Sequence, residues 1–286
     1  MDRKQTATGI LLILFASVAF TGMGACVKAV PSRFPTSEVV FFRSVIALCI
    51  LVPWMLRRRV SFRGRHPLFL SLRALAGFLA ILCYFFTLKR LNLATAILLN
   101  YSSPIFVMLM AIPFLKEKVS WAIVVPFLLS FSGILCLALP ELRFRALPFA
   151  AGLVAGLLAA VAYVTISYLG RFENPLTVVY YFTAWSVAGS LLLCYARFRM
   201  PAAPDLPLLI GAGLFGLAGQ WGMTQAYFYG PASLISVFSL TTPLFGYLLG
   251  LLLWHETLTP LSVVGMLLIL VGCALLSIKY HKTRGV

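Results

Sequence analysis

The chain has 286 residues, 62% of them hydrophobic and 10% charged, with a mean hydropathy of +1.00 and a formal net charge of +16. Soluble domains carry about a quarter charged residues, so this composition excludes a water-soluble globular protein and directs the chain into a bilayer. Its basic residues are scattered over many short loops, a pattern that reads as cytoplasmic loop bias and argues against nucleic acid as a partner.

Apolar residues fall into ten runs of about twenty, the length a helix rising 1.5 Å per residue needs to cross about 30 Å of hydrocarbon. The predicted helices span 8–30, 37–56, 67–88, 93–115, 121–140, 147–170, 176–196, 208–229, 232–254 and 260–279. Between them, stretches such as "RRRVSFRGRHP" and "RFENP" gather the turn formers and most of the charge. No segment is left for a soluble domain.

The first run follows Arg3 and Lys4 but is too long for the apolar region of a secretory signal, and no clean small-residue cleavage site follows it, so it reads as a membrane helix. Lys28 at its end and Glu38 at the start of the second run lie near one membrane surface, where they pair or extend to the interface. Arg43 sits deeper, where a charge costs about 2.5–3.5 kcal/mol on insertion scales unless it meets a cavity or a partner. Three readings stay open for it: orienting a carboxylate or phosphate of a ligand, joining an internal ion pair, or snorkelling to the interface. Arg73, six residues inside the third run, is expected to reach the cytoplasmic interface. Tyr84 on the same helix and Tyr163 on the sixth are candidates for lining a cavity.

Pro104 and Pro243 stand near the middle of the fourth and ninth runs. A proline there frees the carbonyl four residues earlier, which belongs to Asn100 and Ser239 respectively. Each helix would then offer polar backbone and a polar side chain at membrane depth, as ligand site and hinge. The alternative is a packing kink satisfied by Ser102, Ser103, Thr241 or Thr242. Glu117 and Glu256 lie in short loops, three residues before Ser120 and Thr259, where a carboxylate beside the next helix is favourable by about 0.3–1 kcal/mol. That placement favours a structural role over proton coupling. On the eighth run, "GQWGMTQ" at 219–225 pairs Gln220 with Thr224 and Trp221 with Gln225 on shared faces, as ligand contacts or as interhelical hydrogen bonds. Glycines at 211, 213, 216, 219 and 222 favour close helix approach.

All six cysteines fall in apolar runs without CxxC spacing or companion histidines, so neither a disulfide nor a metal is implied, and no cofactor is expected. P-loop, HExxH and GxSxG motifs do not occur. With the amino terminus cytoplasmic, thirteen Lys and Arg residues face the cytoplasm and seven the opposite side, which places both termini inside.

The sequence also repeats. Pro104 and Pro243 lie 139 residues apart, as do Glu117 and Glu256, Gly133 and Gly272, and "VVFFRS" at 39–44 and "VVYYFT" at 178–183. Each repeat holds five predicted helices, an odd number, so the second copy enters the membrane from the opposite side. Inverted repeats of this kind suit a midplane site opened alternately to the two sides. Arg43 and Lys28 break the symmetry, since their counterparts are Phe182 and Ser167.

The stretches "TLKRLNLATAILLNYSSPIFVMLMAIPFLKEKVSWAIVVPFLLSFSGIL" and "QAYFYGPASLISVFSLTTPLFGYLLGLLLWHETLTPLSVVGMLLILVGCAL" resemble the paired EamA domains of the drug/metabolite transporter superfamily. The resemblance implies an all-α membrane protein with one five-helix repeat over 1–140 and an inverted one over 147–286. It further implies secondary transport of a small organic metabolite in the plasma membrane. The expected substrate contacts are Arg43, Tyr84, Asn100, Tyr163, Gln220, Trp221 and Ser239, with Pro104 and Pro243 as hinges. An integral-membrane transferase and a non-transporting membrane partner are the competing readings. Substrate identity and oligomeric state are not legible in the residues.

Overall fold

The computed structural model describes residues 3–31, 34–88, 90, 99–138, 146–195, 198, 200–254 and 259–282. Every regular element among them is helical. In chain order these are α1 (Arg3–Ala29), α2 (Thr36–Arg57), α3 (Pro67–Leu88), α4 (Ser103–Leu115), α5 (Trp121–Ala138) and α6 (Ala146–Leu169). They continue as α7 (Pro175–Cys194), α8 (Leu206–Tyr229), α9 (Ala232–Phe238), α10 (Thr241–Trp254) and α11 (Pro260–Lys282). Among the described residues, seven helical segments are long and apolar enough to cross a membrane, and Ser103–Leu115, Trp121–Cys136 and Pro260–Leu276 are shorter apolar helices.

Helix starts follow local chemistry. Asn174 Oδ1 accepts from Leu176 N at 2.9 Å ahead of α7, whose Pro175 needs no donor partner. Thr259 Oγ1 accepts from Ser262 N at 3.1 Å, so this residue caps α11 as its position predicts. Large apolar side chains point outward along the bundle: Leu11, Leu109, Leu192 and Leu267 are each more than half exposed, a surface suited to lipid.

The two halves interleave instead of standing side by side. Helix α1 packs on α8 and α3 on α6; α2 packs on α8 and α3 on α7; α4 packs on α6 and α10 on α1. Each of these pairs is converted into the other by the 139-residue offset. Two more pairs, α2 with α7 and α5 with α11, are converted into themselves. At the second, Ser130 Oγ lies 3.5 Å from Ile269 O, across a separation of 139. Glycine makes that approach possible: a Cβ on Gly133 would lie 2.5 Å from Gly265 O, and one on Gly272 would collide with Ser130 Oγ. The α8 glycines act in the same way, since a Cβ on Gly219 would meet Phe20 of α1 at 2.7 Å.

The proline segments differ from expectation. The ninth predicted helix is broken at Ser239 and Leu240, and α10 begins anew at Thr241 with Pro243 in its first turn. Pro104 likewise occupies the first turn of α4, after a turn at Tyr101 and Ser102. A first-turn proline displaces no hydrogen bond, so neither residue bends a continuous helix. The breaks satisfy themselves: Thr242 N donates to Ser239 O at 3.0 Å, and Ser102 Oγ donates to Leu99 O at 2.6 Å.

Candidate functional site

A cavity of about 600 Å³ lies between the halves. Its outer lining includes Lys28, Val30, Pro31, Phe34 and Thr36, so it opens at the end where α1 passes into α2. Phe20, Ile81, Phe85 and Leu249 make most of its wall apolar. The far end of the molecule is sealed by hydrogen bonds between repeats. Lys116, with φ of 56°, ends α4 and turns Glu117 toward α9. Glu117 Oε1 there accepts from Ala232 N at 2.7 Å, and Oε2 accepts from Ser233 N at 3.1 Å and Ser233 Oγ at 2.6 Å. Glu117 therefore caps a helix, as its position suggested, but one in the opposite repeat and not the helix that follows it; Glu256 lies outside the described residues. At the same end Glu173 Oε1 accepts from Arg65 N and His66 N, both at 2.6 Å. Tyr181 Oη donates to Arg63 O at 2.7 Å.

One guanidinium lies at the floor of the cavity and a second just behind it. Arg73 is 1% exposed; its Nη2 donates to Gln220 Oε1 at 2.8 Å and its Cζ lies 4.3 Å from the centroid of Phe182. Its Nε and Nη1 have no hydrogen-bond partner. Arg73 thus turns inward, contrary to the expected reach for the interface. Gly77, one turn further on, leaves the room: a Cβ there would lie 2.8 Å from Arg73 Nη1 and 3.1 Å from the Phe182 ring. Arg43 is 4% exposed and sits behind the same ring, its Cζ 5.7 Å from the centroid. Its Nη1 reaches only the thioether of Met23 at 3.6 Å, while Nε and Nη2 have no partner. The contacts holding both cations are neutral ones, and cation–π contact contributes about 0.5–2 kcal/mol each.

The structure brings Tyr84, Asn100, Tyr163 and Gln220 into the cavity wall, together with Pro243. Tyr163 stacks on Tyr227 at 5.3 Å. It places other candidates elsewhere. Trp221 turns away to pack on Trp54, with ring centroids 6.0 Å apart, and Ser239 Oγ is occupied by Ser236 O at 2.6 Å. Pro104 is buried and is not part of the wall, and Arg43 lines a separate small void beneath Phe182. Sequence reasoning missed Arg73, Tyr101, Thr242 and Phe182, all of which line the cavity. For Arg73 a signal existed: it is an ionisable residue with a glycine four positions on, a combination that lets a guanidinium lie flat against a neighbouring helix.

The sequence matches the profile of the EamA-like transporter family twice, over residues 7–139 and 147–278. The chain belongs to the EamA-like transporter family. Among its relatives is the pseudopaline exporter CntI of Pseudomonas aeruginosa, 31% identical over 94% of this chain and 96% of that protein. The mouse solute carrier family 35 member G1 is 23% identical over 92% of this chain and 76% of its own length. An S-adenosylmethionine uptake transporter of Rickettsia felis is 22% identical over 74% of this chain and 73% of its own. A solved crystal structure matches over 100% of both chains with a TM-score of 0.80 at 20% identity, which shows a shared fold. This EamA-like protein is accordingly a multi-pass membrane transporter of small organic metabolites.

Proposed function

We propose that the chain is a secondary carrier that binds an organic anion or zwitterion with an apolar body, and moves it by alternating access. The observation that carries this reading is Arg73 at the cavity floor, with two N–H donors unpartnered. Unsatisfied polar groups in a membrane interior cost several kcal/mol each. A carboxylate seated on the Arg73 guanidinium relieves that cost through charge-assisted hydrogen bonds, bidentate where geometry permits. The Phe20, Ile81, Phe85 and Leu249 wall then receives the rest of the molecule, and Tyr84, Tyr163 and Asn100 supply polar contacts.

In the same proposal the chain crosses the membrane ten times as two inverted five-helix repeats, over 1–140 and 147–286. Packing that repeats under the 139-residue offset supports this arrangement. The basic-residue bias, thirteen against seven, supports cytoplasmic termini in a plasma (inner) membrane, so that the cavity opens away from the cytoplasm.

A melting screen on the purified protein tests the substrate class, because a ligand that binds only the folded state stabilises it by RT ln(1 + [L]/Kd). Matched sets of a carboxylate, its methyl ester, its amide and the corresponding amine are compared. Carboxylate-bearing compounds alone should raise the melting temperature, and a folded Arg73→Gln variant should lose the rise. Equal shifts from the esters, or an unchanged response in the variant, would remove Arg73 from the site.

A further inference from the structure

Beneath Phe182, on the side away from the main cavity, lies a void of about 10 Å³, the space of one water-sized sphere. Arg43, Ser44, Thr183, Gly216 and Gln220 line it, and its walls contain no carboxylate. The guanidinium is held in place without being neutralised: Phe182 covers one side, Met23 Sδ takes Nη1, and Gly216 makes room, since a Cβ there would lie 3.3 Å from Nη1. What remains unpartnered is Nε and Nη2, the two donors that share one edge of the guanidinium fork. Thr183 does not accept from them: its hydroxyl donates to Val179 O at 2.7 Å, and both Arg43 nitrogens stay without a partner.

A void with room for one water-sized sphere, walled by neutral groups, borders a buried cationic edge that nothing in its walls neutralises. The geometry points to a small inorganic anion, chloride in a cell, held on the Nε–Nη2 edge of Arg43, with the neighbouring side chains giving slightly to admit it. The site is separate from the transported molecule's. Arg73 faces the large cavity and Arg43 the small one, with Phe182 and Gln220 forming part of both walls. A resident anion neutralises one of the two charges that flank Phe182, leaving a single unpaired guanidinium, Arg73, for the metabolite. Charge balance then suits a substrate with one carboxylate more than it suits a dianion.

The test needs no knowledge of the substrate, so it stands or falls apart from the transport reading. Purified protein is melted, followed by tryptophan fluorescence, while chloride replaces gluconate at constant ionic strength. A saturable rise of about 2–5 °C is expected, with bromide equivalent. Arg43→Gln should abolish the rise, Arg43→Lys should shift its midpoint to higher chloride because the fork is lost, and Arg73→Gln should retain it. Crystals of the unmodified protein grown in bromide should give an anomalous peak between Arg43 and Thr183, an outcome independent of whether any variant folds. The same melting temperature in chloride and gluconate, a chloride response preserved in Arg43→Gln, or a bromide peak at Arg73 instead, would overturn the assignment.

Discussion

Arg43 and Phe182 occupy the same position of the two repeats, and they touch: the Arg43 Cζ lies 5.7 Å from the Phe182 centroid. A symmetric fold brings equivalent positions together near its internal axis, so a difference between the repeats is felt most strongly there. One repeat supplies a cation and the other the ring that shields it. Arg73 shares that ring, and its own counterpart is Ala212. The charge of the site therefore comes from the first repeat alone.

Arg73 should dominate binding. Hydrogen bonds to charged groups contribute about 1.5–3 kcal/mol, so Arg73→Gln is expected to weaken a carboxylate substrate by about 10- to 100-fold. Arg73→Lys should recover part of the loss, because charge survives while the fork does not. Equilibrium binding on folded, reconstituted protein decides it.

Glycine substitutions should separate packing from function. Gly133→Ala puts a Cβ 2.5 Å from a backbone oxygen, which cannot swing aside, and should destabilise by about 1–3 kcal/mol. Gly77→Ala meets the end of the Arg73 side chain instead, so it should displace the guanidinium and raise KM with little change in melting. Gly24 and Gly246 line the cavity with nothing within 4 Å of an added Cβ; alanine there should leave stability unchanged or raise it by up to about 1 kcal/mol. Melting and flux measured side by side distinguish the three outcomes.

Glu117 should act as a catch on the sealed end. Its carboxylate joins α4 to α9 through three hydrogen bonds, so Glu117→Ala should expose the interior at that end. The assay is thiol labelling of a cysteine at Ser236, which is 1% exposed, in a background lacking the native cysteines. A rate increase of about tenfold is expected, the equivalent of 1.4 kcal/mol. Glu256→Ala, at the equivalent position of the other repeat, should shift the balance the opposite way and slow that labelling.

Single cysteines at Ser120 and Thr259 should react from opposite faces of the membrane. Modification of both by an impermeant reagent from one face would contradict the inverted arrangement.

Much of the frame was legible because it rests on patterns a sequence displays: apolar runs of membrane length, and a fixed offset that brings Ser130 to Ile269. The site was less so. Arg73 was misread because distance along a helix says how far a side chain is from the interface, but not which way it faces. Leu72 and Leu75 beside it face lipid while Leu70 and Ala74 are buried, and all four are apolar. Where lipid and protein present the same residue types, the face of a helix is decided by its neighbours. Trp221 and Gln220 were inseparable for that reason, though only Gln220 reaches the cavity. The prolines misled differently: their rings forbid a helical hydrogen bond, but whether that bends a helix or starts another depends on nearby hydroxyls such as Ser102.

The interleaving of the halves bears on how the chain is held together. Helix α1 rests on α8, α3 on α6 and α5 on α11, so these prominent helix contacts cross from one half to the other. Covalent linkage of the halves then serves chiefly to keep the local concentration of the second half high. Two separate polypeptides, 1–140 and 147–286, produced in the same membrane, should find each other and rebuild a working carrier. Either fragment alone should be cleared by quality-control proteolysis, because its broadest surfaces are shaped for a partner it lacks.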